Sequence, residues 1–152
     1  MGASPDGLVT DPSEQQPHGL VEIKCPARAE KLSLLDLCTK KEYKSTFCLQ
    51  YINDTYKLKK RNIYYYQIQG QLHITRRSWC DFVLWTPTTN VDNLFVERVY
   101  YDDALWRNTI YPRLYRFYVG SMLPELANPR HVSGQEVREL VPFWNDDDLF
   151  PT

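Results

Sequence analysis

Gly19 to Pro26 read GLVEIKCP, and the reading of this stretch decides the fold. Leu20, Val21 and Ile23 are apolar or β-branched, the types that fit a pleated surface. Pro26 stops the ladder because it has no N–H to donate. Side chains in a strand alternate between faces, so Leu20, Glu22 and Lys24 share one face and Val21 and Ile23 the other. The stretch predicts a short buried strand carrying a carboxylate and an ammonium side by side. Burying such ions is costly, so they are either satisfied by each other or held there for chemistry.

Working outward, Ala3 to Val9 (ASPDGLV) joins a Ser-Pro-Asp-Gly turn to a strand starting at Leu8-Val9. Thr10 to His18 holds two prolines among polar residues and reads as a loop. The two strands then form a hairpin, which brings Asp6 near Glu22 and Lys24. Two carboxylates and a lysine around one point can bind a hard divalent cation such as Mg²⁺ and position an attacking water.

Downstream, Ala27 to Thr39 reads as a helix and Thr39 to Ser45, polar and basic, as a loop or a frayed end. Thr46 to Lys60 reads as a hairpin turning at Asn53-Asp54. Asn62 can cap a helix from Ile63 to about Thr75 that is apolar over much of its surface and belongs against the sheet. At 100° per residue, Tyr64, Gln67 and Gln71 share a narrow arc and Gln69 lies well away from it. Gly70 is expected to allow close packing. Trp79 to Thr86 (WCDFVLWT) is a strand halted by Pro87, Thr88 to Asn93 a turn, and Leu94 to Tyr101 a further strand. Asp102-Asp103 begins a helix to about Tyr118, with Pro112 marking a kink or second start and Gly120 the stop. Val132 to Leu140 suggests a short helix, and Trp144 to Thr152 an acidic tail.

The chain has 152 residues, 14% of them aromatic and 24% charged, with 11 Tyr, 4 Trp and a formal net charge of −1. That length fits one domain with a sizeable core. Near-neutral charge excludes wholesale polyanion binding, so any nucleic-acid contact must come from a local patch. The cysteines at 25, 38, 48 and 80 form no CxxC and no zinc-finger spacing with histidine. With no apolar run of membrane-spanning length, an intracellular protein with reduced thiols is expected, nuclear or cytoplasmic. His18, His73 and His131 are scattered without an HExxH, and no Gly-rich phosphate loop occurs.

Pro5-Asp6, a spacer, then Glu22-x-Lys24 matches the PD-(D/E)XK nuclease signature. With SPDGL, GLVEIKCP, YYYQIQGQL (Tyr64 to Leu72) and TRRSWCDFVLWTP in that order, the chain resembles the YqaJ-like viral recombinase family, the lambda exonuclease family, from Gly2 to about Gly120. The E-x-K tripeptide alone is weak: chance supplies one in about a few hundred positions. A second copy, Glu42-Tyr43-Lys44, stands in a polar stretch without strand context. The ordered set of motifs is specific.

The resemblance implies an α/β PD-(D/E)XK, restriction-endonuclease-like core, a mixed central sheet flanked by helices. It implies a nuclease domain over residues 1–123 and a C-terminal extension over 124–152. Family members carry an upstream helical region with a further glutamate. Nothing here matches it, so the N-terminal part of the fold is expected to be missing or supplied by a partner. The resemblance makes Asp6, Glu22 and the backbone carbonyl of Ile23 ligands for Mg²⁺, with Mn²⁺ a possible substitute. Lys24 would orient or deprotonate the water, and Gln67 would hold Lys24 or that water. Tyr64 and Gln71 would line the cleft on DNA. Lys57, Lys59, Lys60, Arg61, Arg76 and Arg77, with Lys40, Lys41 and Lys44, form the expected phosphate track; a solvated surface is the plainer alternative. The implied activity is 5′-to-3′ exonucleolytic hydrolysis of duplex DNA for recombination or repair, with a trimeric ring or a single-strand annealing protein as partner. The rival reading is a catalytically degenerate DNA-binding module of the same fold.

Overall fold

A computed structural model describes residues 2–26, 32–87, 93–130, 132, 134–136 and 138. The chain divides into two compact units, Met1–Tyr101 and Asp102–Thr152.

In the first unit, strands β1 (Gly7–Thr10), β2 (His18–Lys24), β5 (Trp79–Trp85) and β6 (Leu94–Tyr100) form one sheet in the order β1-β2-β5-β6. β1 and β2 are the expected antiparallel hairpin, with Leu8 opposite Leu20. β2 runs parallel to β5, with Glu22 opposite Phe82, and β5 is antiparallel to β6. The sheet is therefore mixed. The parallel crossover from β2 to β5 contains α1 (Leu34–Thr39), α2 (Lys41–Lys44), the hairpin β3 (Leu49–Ile52) and β4 (Thr55–Leu58), and α3 (Ile63–Thr75).

The alternation in β2 decides what is inside. Leu20 and Glu22 are buried and Lys24 is half-buried, while Ile23 on the other face is exposed. On the inner face Cys80, Phe82, Leu84 and Val99 join them, and α3, packed on β5, contributes Tyr65, Ile68 and Leu72. Each large apolar side chain so buried contributes about 1.5–3 kcal/mol. On the outer face Ile23, Trp85, Leu94 and Val96 remain exposed. Gly19 is required there: a Cβ would lie 2.3 Å from the Trp79 ring. Beside it Arg98 stacks 3.8 Å over Trp79 and pairs with Asp81 (2.8 Å), Asp11 (2.6 Å) and Glu14 (3.0 Å), fastening the β1–β2 loop to the sheet. Hydrogen bonds from Ser13, then from Arg98, hold the Asp11 carboxyl down at about 2.

α3 has the expected limits. The Asn62 side chain accepts from the Tyr64 N–H at 3.0 Å, and Arg76 closes the helix in the left-handed region at φ 57°. The β3–β4 turn at Asn53 and Asp54 has φ 49° and 57°, which suits a type I′ hairpin. Three local expectations need correction. Gly70 meets nothing within 4 Å of an added Cβ, so it is not a packing glycine. Helix α1 begins only at Leu34, where the Ser33 hydroxyl accepts from the Asp36 N–H; residues 27–31 of the expected helix lie outside the described residues. Within the expected Thr39–Ser45 loop, Lys41–Lys44 form the single turn α2. The expected turn at 88–93 and the tail at 144–152 also fall largely or wholly outside the described residues.

The second unit is helical: α4 (Asp103–Leu105), a π turn (Trp106–Ile110), α5 (Tyr111–Phe117), a second π turn (Tyr118–Met122) and α6 (Leu123–Ala127). Gly120 does not stop the helix, as its sequence position suggests; it lies inside the second π turn. Each π turn precedes a segment with proline at its start, Pro112 and Pro124. Proline lacks an N–H and crowds the carbonyl four residues back, and a widened turn relieves both effects without ending the helix. The expected division at residue 123/124 falls inside α6, between its first two residues.

Candidate active site

β2 and α3 build the site between them. β2 places Glu22 and Lys24 on the inner face, two residues apart and thus neighbours. α3 lays Gln67 and Gln71 over them, four residues apart on one side of the helix. Glu22 is 1% exposed, yet both its oxygens are engaged. Oε1 accepts from the Lys24 ammonium and from Gln67 Nε2 at 2.6 Å, and Oε2 accepts from Gln71 Nε2 at 2.9 Å. An ionised carboxylate is acceptor-only and takes up to about four donors, so it can be satisfied in this environment. The Lys24 ammonium also lies 5.1 Å from the centroid of the Tyr64 ring, which is 6.1 Å from that of Phe82.

Asp6 arrives from the turn before β1. Its Oδ2 accepts from the Ile23 N–H at 2.7 Å, and the residue is exposed. The N–H and C=O of one strand residue leave on the same edge, so the Ile23 carbonyl also faces the Asp6 edge of β2. Asp6, Glu22, Ile23, Lys24, Gln67, Gln71 and Tyr64 thus gather at one end of β2. Gln69 lies apart from them, buried and donating to the Tyr100 carbonyl at 2.9 Å.

The expected basic track is not uniform. Lys59 donates to the carbonyls of Lys44 (2.6 Å) and Phe47 (2.7 Å) and fastens the hairpin to the α2 turn. Lys57 lies 3.7 Å from Glu97. Lys60, Arg61 and Arg76 are exposed, and Arg77 is half-buried.

The donor set around Asp6 is all oxygen, as Mg²⁺ prefers, and its carboxylate is open to solvent. Gln71 Oε1 is buried and has no hydrogen-bond partner, an acceptor oxygen beside Glu22 that a hydrated cation would satisfy. Among the described residues no group of three or more His, Cys, Asp or Glu could hold a metal ion. Mg²⁺ is commonly held by one or two carboxylates, with water and substrate phosphate completing its shell, so two carboxylates and a carbonyl fit it. The buried thiols are not alternatives: burial pushes Cys38 up to about 11 and Cys48 and Cys80 up to about 12.

Sequence reasoning missed Tyr43 and Phe47. They line a cavity of about 160 Å³ together with Tyr64, Asn62 and Thr46. Two aromatic residues four apart in a polar stretch were the available signal. No helix among the described residues is long and apolar enough to cross a membrane.

A mixed sheet whose parallel strand carries Glu-x-Lys, with an aspartate at its edge and a helix of glutamines above it, is the PD-(D/E)XK type of α/β fold. Residues 1–78 match the YqaJ-like viral recombinase domain, and the chain belongs to that family. No curated protein matches it. Among solved structures, it is similar to an alkaline exonuclease (LHK-Exo) from Laribacter hongkongensis, with 22% identity and a TM-score of 0.50. That match covers 88% of this chain and 63% of the other, so this chain spans less than two thirds of that protein's length. The likeness is one of fold.

Proposed function

We propose that this chain is a metal-dependent deoxyribonuclease acting exonucleolytically, 5′ to 3′, on duplex DNA in recombination or repair, and that its nuclease module extends to residue 123. The observation that carries the reading is the convergence at one end of β2 of Asp6, which accepts from the Ile23 N–H, with the Glu22–Lys24 pair. The alkaline exonuclease of similar fold supports it.

Asp6, Glu22 and the Ile23 carbonyl would hold Mg²⁺, with Mn²⁺ as a substitute. When bound, the cation lowers the pKa of its water and offsets phosphate charge. The protein's own groups do the rest. Lys24 presents an ammonium to the phosphate or the attacking water and stabilises the charge that develops there. Gln67 and Gln71 fix the Glu22 carboxylate, and Glu22 in turn fixes Lys24. Lys57, Lys60, Arg61, Arg76 and Arg77 give sequence-independent affinity for the backbone. A homotrimer, an annealing partner and an intracellular location belong to the same proposal.

One observation favours the rival, a DNA-binding module that does not cut: both Glu22 oxygens are already satisfied by protein donors. Mg²⁺-dependent digestion of end-labelled linear duplex separates the two. Release of nucleotides is expected; binding without release would establish the rival.

A further inference from the structure

We propose that the cavity between α2 and the start of α3 is a base-binding subsite, which takes one unstacked nucleobase of the strand held at Lys24. This rests on the nuclease reading for its register, though not for its ligand class.

Three aromatic residues, Tyr43, Phe47 and Tyr64, line the cavity. Its volume of about 160 Å³ admits a planar ring, since a cavity of roughly 150 Å³ holds benzene. Tyr64 is the link to the site: it lines the cavity, and the centroid of its ring lies 5.1 Å from the Lys24 ammonium. A phosphate at Lys24 therefore has a base of its own strand within reach of the cavity. Every base has a π-face, so an aromatic-lined slot holds any of the four. Tyr43, Thr46 and Asn62 are among the same lining residues and bring polar side chains suited to a base edge.

The walls are fixed before any ligand arrives. Phe47 N–H donates to the Tyr43 carbonyl at 2.9 Å, and the Thr46 N–H donates to the same carbonyl at 3.0 Å. Lys59 bonds the Lys44 and Phe47 carbonyls. Asn62 Oδ1 is held by the Tyr64 N–H, which leaves Nδ2 as a donor. Preorganised walls lower the ordering cost of binding. They also give Lys59 a purpose other than touching phosphate.

The test uses the full chain and single-stranded oligonucleotides carrying one abasic site, moved nucleotide by nucleotide from the 5′ end. Dissociation constants are read by fluorescence anisotropy in chelator, so no cleavage is needed. At one register the abasic site is expected to weaken binding about 5- to 150-fold, the range for one lost stacking contact. In Phe47→Leu, checked for folding by its thermal transition, intact DNA should bind more weakly and the abasic penalty should vanish. An equal affinity at every register overturns the subsite, as does a penalty unchanged in Phe47→Leu. Duplex digestion is run alongside. Failure to cut with the penalty present refutes the nuclease and keeps the subsite; cutting without the penalty does the reverse.

Discussion

Glu22-Ile23-Lys24 and Glu42-Tyr43-Lys44 are the same tripeptide pattern with opposite outcomes. In β2 the period is two, so carboxylate and ammonium stand on one face and pair. In α2 two residues span about 200° of helix, so Glu42 and Lys44 diverge, and both are exposed. The difference teaches that spacing has chemical meaning only within a backbone period. The strand then adds what the letters lack: a helix above it whose Gln67 and Gln71 each donate to Glu22, one to either oxygen.

The sharpest way to break this contrast is Lys24→Ala. Turnover on duplex DNA should fall about 10²–10⁴-fold, as when a proton-handling or charge-stabilising group is removed, while DNA affinity persists. Unchanged turnover would show the two tripeptides to be equivalent. Next comes Glu22→Ala, which strands a half-buried ammonium and two amide groups. A loss of about 3–5 kcal/mol in urea unfolding is expected, against about 1–3 kcal/mol for Glu22→Gln, which keeps the shape. If Glu22→Ala unfolds at the wild-type midpoint, the carboxylate does not hold this corner of the core. Asp6→Asn should be milder for folding, because an amide oxygen can still accept from Ile23. Its divalent-cation affinity should nonetheless drop roughly tenfold or more, since a hard cation prefers the charged ligand. Calorimetry giving equal Mg²⁺ affinity would remove Asp6 from the ligand set.

The parts of this site that follow a period were legible. The face shared by Glu22 and Lys24, the arc shared by Gln67 and Gln71, the Asn62 cap and the Asn53-Asp54 turn all follow from local rules, and each is observed. What could not be read depended on tertiary register. The Asp6 bond to the Ile23 N–H needs the β1–β2 pairing to be known. Lys59 carries the letters of a phosphate contact, but the fold brings two carbonyls to it first. Gly120 carries the letters of a helix stop. It sits four residues before Pro124, where the run widens into a π turn and continues.

The smallest effect belongs to the second tripeptide, and it discriminates because it should be close to nothing. Lys44 enters the structure through its backbone: its carbonyl accepts from the Lys59 ammonium at 2.6 Å. Lys44→Ala keeps that carbonyl and removes an exposed charge, so stability should stay within about 0.5 kcal/mol of wild type and turnover within about twofold. Lys59→Met removes the donor instead. The carbonyls of Lys44 and Phe47 then lose a charge-assisted bond each, and a cost of about 1.5–3 kcal/mol per bond is the upper range for contacts that are partly solvated. A midpoint shift for Lys59→Met without one for Lys44→Ala would show that the exposed triplet acts as backbone support, its side-chain charges contributing nothing. Equal shifts in the two variants would mean that the Lys44 ammonium has work of its own, and the distinction drawn from strand and helix periods would fail at that residue.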